Sequence, residues 1–386
     1  MTRKAPKRPG KRQSCPQVID IYSGAGGLSL GAARAGFKVA GAVELDSHAA
    51  ATHKRNFPGT RHLEADVSKL TGTQLLEKLY LSSSELSGIV GGPPCQGFSC
   101  IGKNDADDPR NNLFVDFFRI ISEAQPRFFL AENVPGIMNA CYHDLREEAL
   151  ALVAKRYTLL PPMVICAKDF GAPTKRTRVF FFGYQPDEME ALSSEVFTAP
   201  KEIEEVKVGA ALKGLPIRIS PRWQTEEQGW RISRVYHRGW FAQRLQDKIP
   251  RGVGDPYALE RLRNESRASG CLGTQHSTEI AQRYGAIEPG KRDRISKSHR
   301  LDLDDFCPTI RAGTGRDRGR FQAVRPIHPT EARVITPREA ARLQGFPDWF
   351  RFSAEKWHSF REIGSSVSPI LAERLLAVIR KALTLD

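Results

Sequence analysis

Cys95 stands in Gly91-Gly92-Pro93-Pro94-Cys95-Gln96-Gly97-Phe98-Ser99, directly after a short apolar run. The two prolines restrict the backbone ahead of it, so the thiol is presented from a stiffened loop rather than packed in a core. A thiol in such a place is a candidate nucleophile when neighbouring positive charge favours the thiolate. Arg176 and Arg178, in Arg176-Thr177-Arg178, are candidates for that charge. Glu132, in Glu132-Asn133-Val134, follows another apolar run and would face the same edge as Cys95. The remaining cysteines have no such setting, and Cys100, Cys141, Cys166, Cys271 and Cys307 read as structural. Seven cysteines without a CxxC pair argue against a disulfide framework or a zinc site and for a reducing compartment. His237, His276 and His299 lack ligand spacing and read as loop or phosphate-contact residues. No metal is expected.

A second constellation lies near the N-terminus, where Asp20-Ile21-Tyr22-Ser23-Gly24-Ala25-Gly26-Gly27-Leu28 carries a strand-like run into a glycine-rich turn and a helix. Glycine lets the backbone bend sharply and approach a ligand closely. The spacing misses the dinucleotide pattern GxGxxG, because the final glycine comes late, at Gly31. That favours S-adenosylmethionine, which has no pyrophosphate to cradle. Glu44 falls 20 residues after Gly24, placed to accept from ribose hydroxyls. Asp66, expected to end the third strand, could accept from an adenine amino group. The loop by itself favours a nucleoside-cofactor site over some other tight strand–helix turn, but only weakly.

These groups need a scaffold, and the first half of the chain provides the pattern of a parallel α/β sheet. Strands are expected at 18–22, 39–44, 63–67, 88–91, 128–132, 164–167 and 178–183, with helices such as 28–35 and 113–124 between them. In open α/β sheets ligands bind at the C-terminal ends of the strands. After residue 185 the alternation stops, and 190–330 is rich in Arg, Gly, Ser and Pro, as in a loop-rich second domain. At 336 a helix restarts: Thr336 caps, Pro337 takes the first position and Glu339 completes a capping box. A last helix is expected over 368–383. The division predicted is a basic, disordered tail (1–14), a catalytic and cofactor-binding domain (15–185), a target-recognition domain (186–350) and a returning C-terminal segment (351–386).

Charge follows the same division. The chain has 58 Lys+Arg and 44 Asp+Glu, a net +14, and residues 1–12 hold six basic and no acidic side chains. Residues 13–216 sum to −3, 217–300 to +8 and 301–386 to +3. A mildly acidic body joined to a basic segment suits a catalytic unit plus a polyanion-binding module, although a solvated arginine-rich surface would give the same numbers. No stretch reaches the ~20 apolar residues of a membrane span, and no apolar run follows the basic N-terminus as in a secretory signal. A cytoplasmic location is expected.

Taken together, the residues resemble the DNA cytosine-C5 methyltransferases. Tyr22-Ser23-Gly24-Ala25-Gly26-Gly27 is similar to that family's cofactor loop, and Glu44 and Asp66 to its ribose and adenine contacts. Pro93-Pro94-Cys95-Gln96 matches its nucleophile motif and Glu132-Asn133-Val134 its general-acid motif. Arg176 and Arg178 match its paired-arginine strand. Residues 338–348 match its late motif, and Ile363-Gly364-Ser365-Ser366-Val367 its closing cofactor motif. The motifs keep family order over 18–378, and only 186–330 has no counterpart, where the family carries its variable target-recognition region.

The resemblance implies an α/β, Rossmann-like S-adenosylmethionine-dependent methyltransferase domain with a smaller loop-rich target-recognition domain. It implies a cofactor site of Tyr22, Ser23, Gly24, Gly26, Gly27, Glu44, Asp66, Pro94, Ser365 and Ser366, with Cys95, Glu132, Arg176 and Arg178 as catalytic residues. The implied partner is double-stranded DNA, with no membrane, no metal and a monomeric enzyme. Cys95 would add to C6 of a flipped-out cytosine, Glu132 would serve N3, and the arginines would hold the cytosine carbonyl or nearby phosphates. Three positions depart from the family: Tyr22 replaces Phe, Thr174 stands where Gln precedes the arginine pair, and Ser365 replaces Asn. A tRNA methyltransferase on the same scaffold would carry a Cys-Phe-Thr signature, which is absent. A silent regulatory homologue would lose the nucleophile. The chain also lacks the zinc-binding cysteine clusters of large eukaryotic maintenance enzymes, so a bacterial restriction–modification enzyme is expected.

Overall fold

The computed structural model describes residues 15–94, 112–235, 239–246, 249–313 and 325–384. Cys95, Cys100, His237 and the 1–14 tail lie outside these residues. Among the described residues nine strands precede residue 185: β1 (Gln17–Ile21), β2 (Lys38–Glu44), β3 (Arg61–Glu64), β4 (Leu86–Gly91), β5 (Phe128–Asn133), β6 (Thr158–Leu159), β7 (Met163–Cys166), β8 (Thr174–Lys175) and β9 (Thr177–Tyr184). All but β8 join one sheet in the order β3-β2-β1-β4-β5-β9-β6, with β7 also paired to β9. The helices in this part are α1 (Gly27–Arg34), α2 (Ser47–Asn56), α3 (Gly72–Lys78), α4 (Asn112–Ala124) and α5 (His143–Ala151).

The sequence forms this sheet because its central strands are apolar on both faces. β4 and β5 are buried at every position, as expected of strands covered by helices on both sides. Helix α4 presents Phe114, Phe117, Phe118 and Ile121 along one buried stripe. Phe118 stands edge-on to Phe129 of β5, with ring centroids 5.4 Å apart.

Two features differ from the sequence expectation. The sheet is parallel only from β3 to β5; β9 runs antiparallel to β5, and β6 and β7 antiparallel to β9. The connection from β7 to β9 is too short for a crossover helix, and only an antiparallel pairing accommodates it. The consequence is chemical, because the start of β9 now lies at the edge where β5 ends. The third strand also stops at Glu64 rather than running to 67. The Asp66 carboxylate accepts from Ser68 N (3.1 Å) and Ser68 Oγ (2.7 Å), which turns the chain out of the ladder.

Beyond residue 185 regular structure is sparse: α6 (Val208–Leu212), β10 (Arg231–Ile232), α7 (Trp240–Gln246), α8 (Pro256–Glu265), β11 (Arg267–Ala268), α9 (Thr278–Gly285) and β12 (Cys307–Pro308). Three helices close the chain: α10 (Pro337–Gln344), α11 (Lys356–Ser365) and α12 (Pro369–Ala382). Helix α10 has the Thr336–Glu339 capping box with Pro337 in its first turn. It is buried throughout, and its two arginines bind the irregular segment. Arg342 donates to both Asp348 oxygens (2.7 Å each), Ser233 Oγ (2.6 Å) and Lys213 O (2.7 Å). Arg338 donates to Ser269 O (2.7 Å), Pro347 O (2.9 Å) and Phe350 O (2.6 Å). Helix α12 packs on α1, bringing the C-terminus back to the sheet. No helix among the described residues is long and apolar enough to cross a membrane.

Candidate active site

The first cluster sits where β1 and β2 end. Tyr22 has φ +58, and its hydroxyl donates to Leu113 O at 3.2 Å. Gly26 opens α1 with φ +101, a left-handed conformation that side chains rarely adopt. At Gly27 a Cβ would stand 2.3 Å from Val367 O, so only glycine lets the closing segment come this near. Glu44 holds the loop from β2: its Oε2 accepts from Gly24 N (2.7 Å) and its Oε1 from Leu45 N and Asp46 N (2.8 Å each). Burial raises the Glu44 pKa, and those three backbone donors work against the shift.

The cradle has acceptor capacity left. Among the described residues Glu44 Oε2 takes a single N–H, and the buried Ser23 hydroxyl has no hydrogen-bond partner. That combination fits a ribose whose hydroxyls both donate and accept. Asp66 Oδ2 has no hydrogen bond among the described residues, with Lys69 3.9 Å away. Ser365 and Ser366 close the same region, since Val367 touches Gly27. Their side-chain hydroxyls turn back to Glu362 O (3.2 and 2.7 Å), and Gln344 fixes Ser366 O at 2.6 Å.

The second cluster lies at the ends of β4 and β5. Glu132 is 8% exposed, and its Oε1 stands 2.7 Å from Arg178 Nε. The antiparallel register makes this pair, because Glu132 sits opposite Phe180 and Asn133 opposite Val179. A Cβ at Gly92 would be 3.2 Å from Glu132 Oε2, so the carboxylate lies against the loop that leads to Cys95. Asn133 Nδ2 donates to Pro93 O at 3.4 Å, which ties the same loop to β5. Arg176 points elsewhere and donates to Ile310 O and Ser365 O (3.2 Å each). It braces the irregular segment and the closing segment against the sheet. The structure thus brings Glu132, Arg178 and the Pro93–Pro94 loop together, and sets Arg176 one step back.

A third group carries no sequence signal. Asp20, fully buried at the end of β1, accepts from Ser29 Oγ at 2.6 Å. Ser29 Oγ is 2.9 Å from His53 Nε2, and His53 Nδ1 is 2.9 Å from His62 Nε2. This chain runs directly beneath the glycine loop, since a Cβ at Gly26 would meet His53 at 3.0 Å. Burial pushes Asp20 up to about 7, holds His53 well below its ordinary range and lowers His62 to about 4. The four residues come from separate elements at no regular spacing, so only the fold assembles them.

The sequence profile of the C-5 cytosine-specific DNA methylase family matches residues 16–381. The chain belongs to this family.

Its relatives agree. The methylase is 37% identical to type II methyltransferase M.XorII of Xanthomonas oryzae pv. oryzae over 374 residues, 95% of this chain and 85% of that one. A crystal structure described as that of a DNA modification methyltransferase encoded within an E. coli prophage aligns with a TM-score of 0.85 and 49% identity, covering 95% of this chain and 99% of that one. The Dnmt2 methyltransferase of S. pombe shares the fold, with a TM-score of 0.61 at 16% identity over 95% of this chain and 98% of that one. The protein is therefore a C-5 cytosine DNA methyltransferase of the restriction–modification type.

In this methylase Thr174, at the usual Gln position, is fully buried on β8, which pairs with β12. Cys271 and Cys307 are buried, as a structural role requires, whereas Cys141 is exposed and packs in no core. His276 is half-buried and accepts from Val334 N (3.3 Å). Burial and nearby cations hold it below its ordinary pKa.

Proposed function

We propose that the methylase transfers a methyl group from S-adenosylmethionine to C5 of a cytosine flipped out of a specific double-stranded DNA sequence. Tyr22, Ser23, Gly24, Gly26, Gly27, Glu44, Asp66, Pro94, Ser365 and Ser366 would hold the cofactor, which supplies an electrophilic methyl on its sulfonium sulfur. The Cys95 thiolate forms a bond to C6, and Glu132 places a hydrogen bond or proton on N3 to stabilise the charge that develops there. C5 then takes the methyl group, a base removes the C5 proton, and the Cys95–C6 bond breaks to restore the ring. Arg178 holds Glu132 in place and offers its remaining N–H groups to the cytosine carbonyl. Residues 15–185 and 351–386 supply the chemistry, and 186–350 reads the sequence. The enzyme would act as a monomer on DNA in the bacterial cytoplasm.

The observation that carries this reading is the buried Glu132–Arg178 pair against the Gly92–Pro94 loop. The carboxyl group and the guanidinium meet at the strand ends, beside the loop that leads in sequence to Cys95. The test is a duplex in which 5-fluorocytosine replaces the target, found beforehand by bisulfite sequencing of DNA from expressing cells. Fluorine cannot leave as the proton does, so the wild-type chain should form an SDS-resistant adduct, and Cys95→Ser should form none. The same variant should lose at least ~10³-fold in methylation while still binding cofactor. Near-normal turnover by Cys95→Ser, or activity on tRNA in place of DNA, would refute the reading.

A further inference from the structure

An open cleft of about 480 Å³ separates the irregular segment from the start of α11, lined by Gln224, Thr225, Glu226, Arg325, Lys356 and Trp357 among others. Two cations in its wall, Arg325 and Lys356, have no ion pair among the described residues. The Arg325 guanidinium lies 4.2 Å over the Phe360 ring and has no hydrogen bond or ion pair among the described residues. Burial lowers its pKa, and no carboxylate acts against the shift. Lys356 donates to Gly273 O and has two further N–H groups to offer. Burial and the Arg325 charge lower its pKa too. The carboxylates in the wall serve other partners: Glu226 is 2.6 Å from Arg351, and Glu355, largely exposed, is 3.6 Å from His358. Burial, and then the charges of both cations, lower the pKa of His276.

Two desolvated cations without a counter-charge cost stability unless something anionic joins them. The position of the cleft says what that is. Helix α11 carries Phe360 beneath Arg325 and ends at Ser365, whose carbonyl is bound by Arg176, two residues before Arg178 of the catalytic pair. Lys356 and Ser365 are the ends of this helix, so they are separated by about 14 Å along its axis, or about four base-pair rises of 3.4 Å. The helix is a rigid spacer between the cleft and the reacting base.

We propose that the cleft binds one phosphodiester of the DNA backbone, within about four nucleotides of the target cytosine, between Arg325 and Lys356. This rests on the DNA reading above and adds a contact outside the basic 217–300 segment. The C-terminal part of the chain then fixes the register of the duplex as well as supporting the chemistry.

The test is a scan of duplexes, each carrying one neutral methylphosphonate, moved stepwise through six nucleotides on either side of the target on each strand. Dissociation constants are measured for the wild-type chain, Arg325→Gln, Lys356→Gln and Arg325→Lys. The wild type should lose about tenfold at one or two adjacent positions. Arg325→Gln should lose a similar factor on unmodified DNA and nothing more at those positions. Its log Kd against log salt should flatten by about 0.9. Arg325→Lys should recover the slope, and Lys381→Gln on α12, an equal loss of charge, should leave it unchanged. The scan on the wild-type chain needs no variant to fold. If Arg325→Gln and Lys356→Gln show the wild-type pattern and slope, the proposal is overturned, and methylation by the same samples leaves the DNA reading standing. If inorganic phosphate alone stabilises the free enzyme through Arg325 while no methylphosphonate position depends on it, the cleft serves a free anion and the proposal is equally overturned.

Discussion

The strand-end edge of the sheet and the irregular segment after residue 185 hold their polar groups in opposite ways. At the edge, side chains bond to nearby backbone in a regular frame, as Glu44 does with Gly24, Leu45 and Asp46. In the irregular segment short strands supply few ladder bonds, and buried arginines take over by gathering carbonyls from distant loops. Arg342 joins Lys213, Ser233 and Asp348, Arg338 joins Ser269, Pro347 and Phe350, and Arg300 gathers Tyr284, Gly285 and Ile287 carbonyls. Of the 17 basic residues in 217–300, Arg244, Arg261, Arg283 and Arg300 are committed to internal partners. Net charge therefore overstates the cations available to DNA, whereas Arg325 and Lys356, outside that segment, have no ion pair among the described residues.

The comparison is broken most decisively by exchange. Residues 186–350 grafted onto a related methylase of different specificity should move methylation to this protein's sites, a change of ~10³-fold or more in site preference. Mapping methylated cytosines decides it, and a chimera that keeps the recipient's target would place recognition in the sheet domain. Next in size is the contrast between two arginines. Arg342→Ala should destabilise the fold by about 3–5 kcal/mol, because it strands the fully buried Asp348. Arg294→Ala, exposed on a loop, should change stability by no more than about 0.5 kcal/mol. Urea unfolding of both variants gives the difference, and equal losses would contradict the division between clamping and free arginines.

At the strand-end edge the effects should be catalytic rather than structural. Glu44→Ala should raise the KM for cofactor by roughly 10–150-fold, the worth of a charged hydrogen bond, with less effect on DNA affinity. Steady-state kinetics with each substrate varied separately would show a loss on the DNA side if Glu44 serves DNA instead. The smallest effect is a pH dependence. Asp20 has a pKa raised from 3.8 to about 7 by burial, so the folded state holds its proton more tightly than the unfolded chain. Stability from this group is full below about pH 4 and falls as pH rises through 7. Between pH 6 and 8 the loss should be about 1.4 kcal/mol. Asp20→Asn should remove that increment from the pH profile of unfolding, and an unchanged profile would show that Asp20 is ionised in the folded state throughout.

Much of this was legible beforehand. The strands at 18–22, 39–44, 88–91 and 128–132, and the helix capped by Thr336, follow from apolar runs and capping chemistry, which are local. The end of the third strand was misplaced because Asp66 bonds to Ser68, a competition between side chain and ladder that periodicity does not report. The antiparallel β9 escaped for another reason: strand direction depends on the length of a connection and not on the composition of the strand.

The sequence by itself determined the chemical groups and their order: a cysteine behind two prolines, a glutamate at a strand end, a paired arginine strand and a glycine loop with an acid 20 residues on. These depend on residue type and short spacing. Only the tertiary structure decided which groups meet. It paired Arg178 rather than Arg176 with Glu132, because β9 runs antiparallel to β5. It assembled Asp20, Ser29, His53 and His62 beneath the glycine loop, and it left Arg325 and Lys356 facing an open cleft with no ion pair among the described residues. Encounters between residues far apart in the chain are set by packing, and packing is a property of the whole fold.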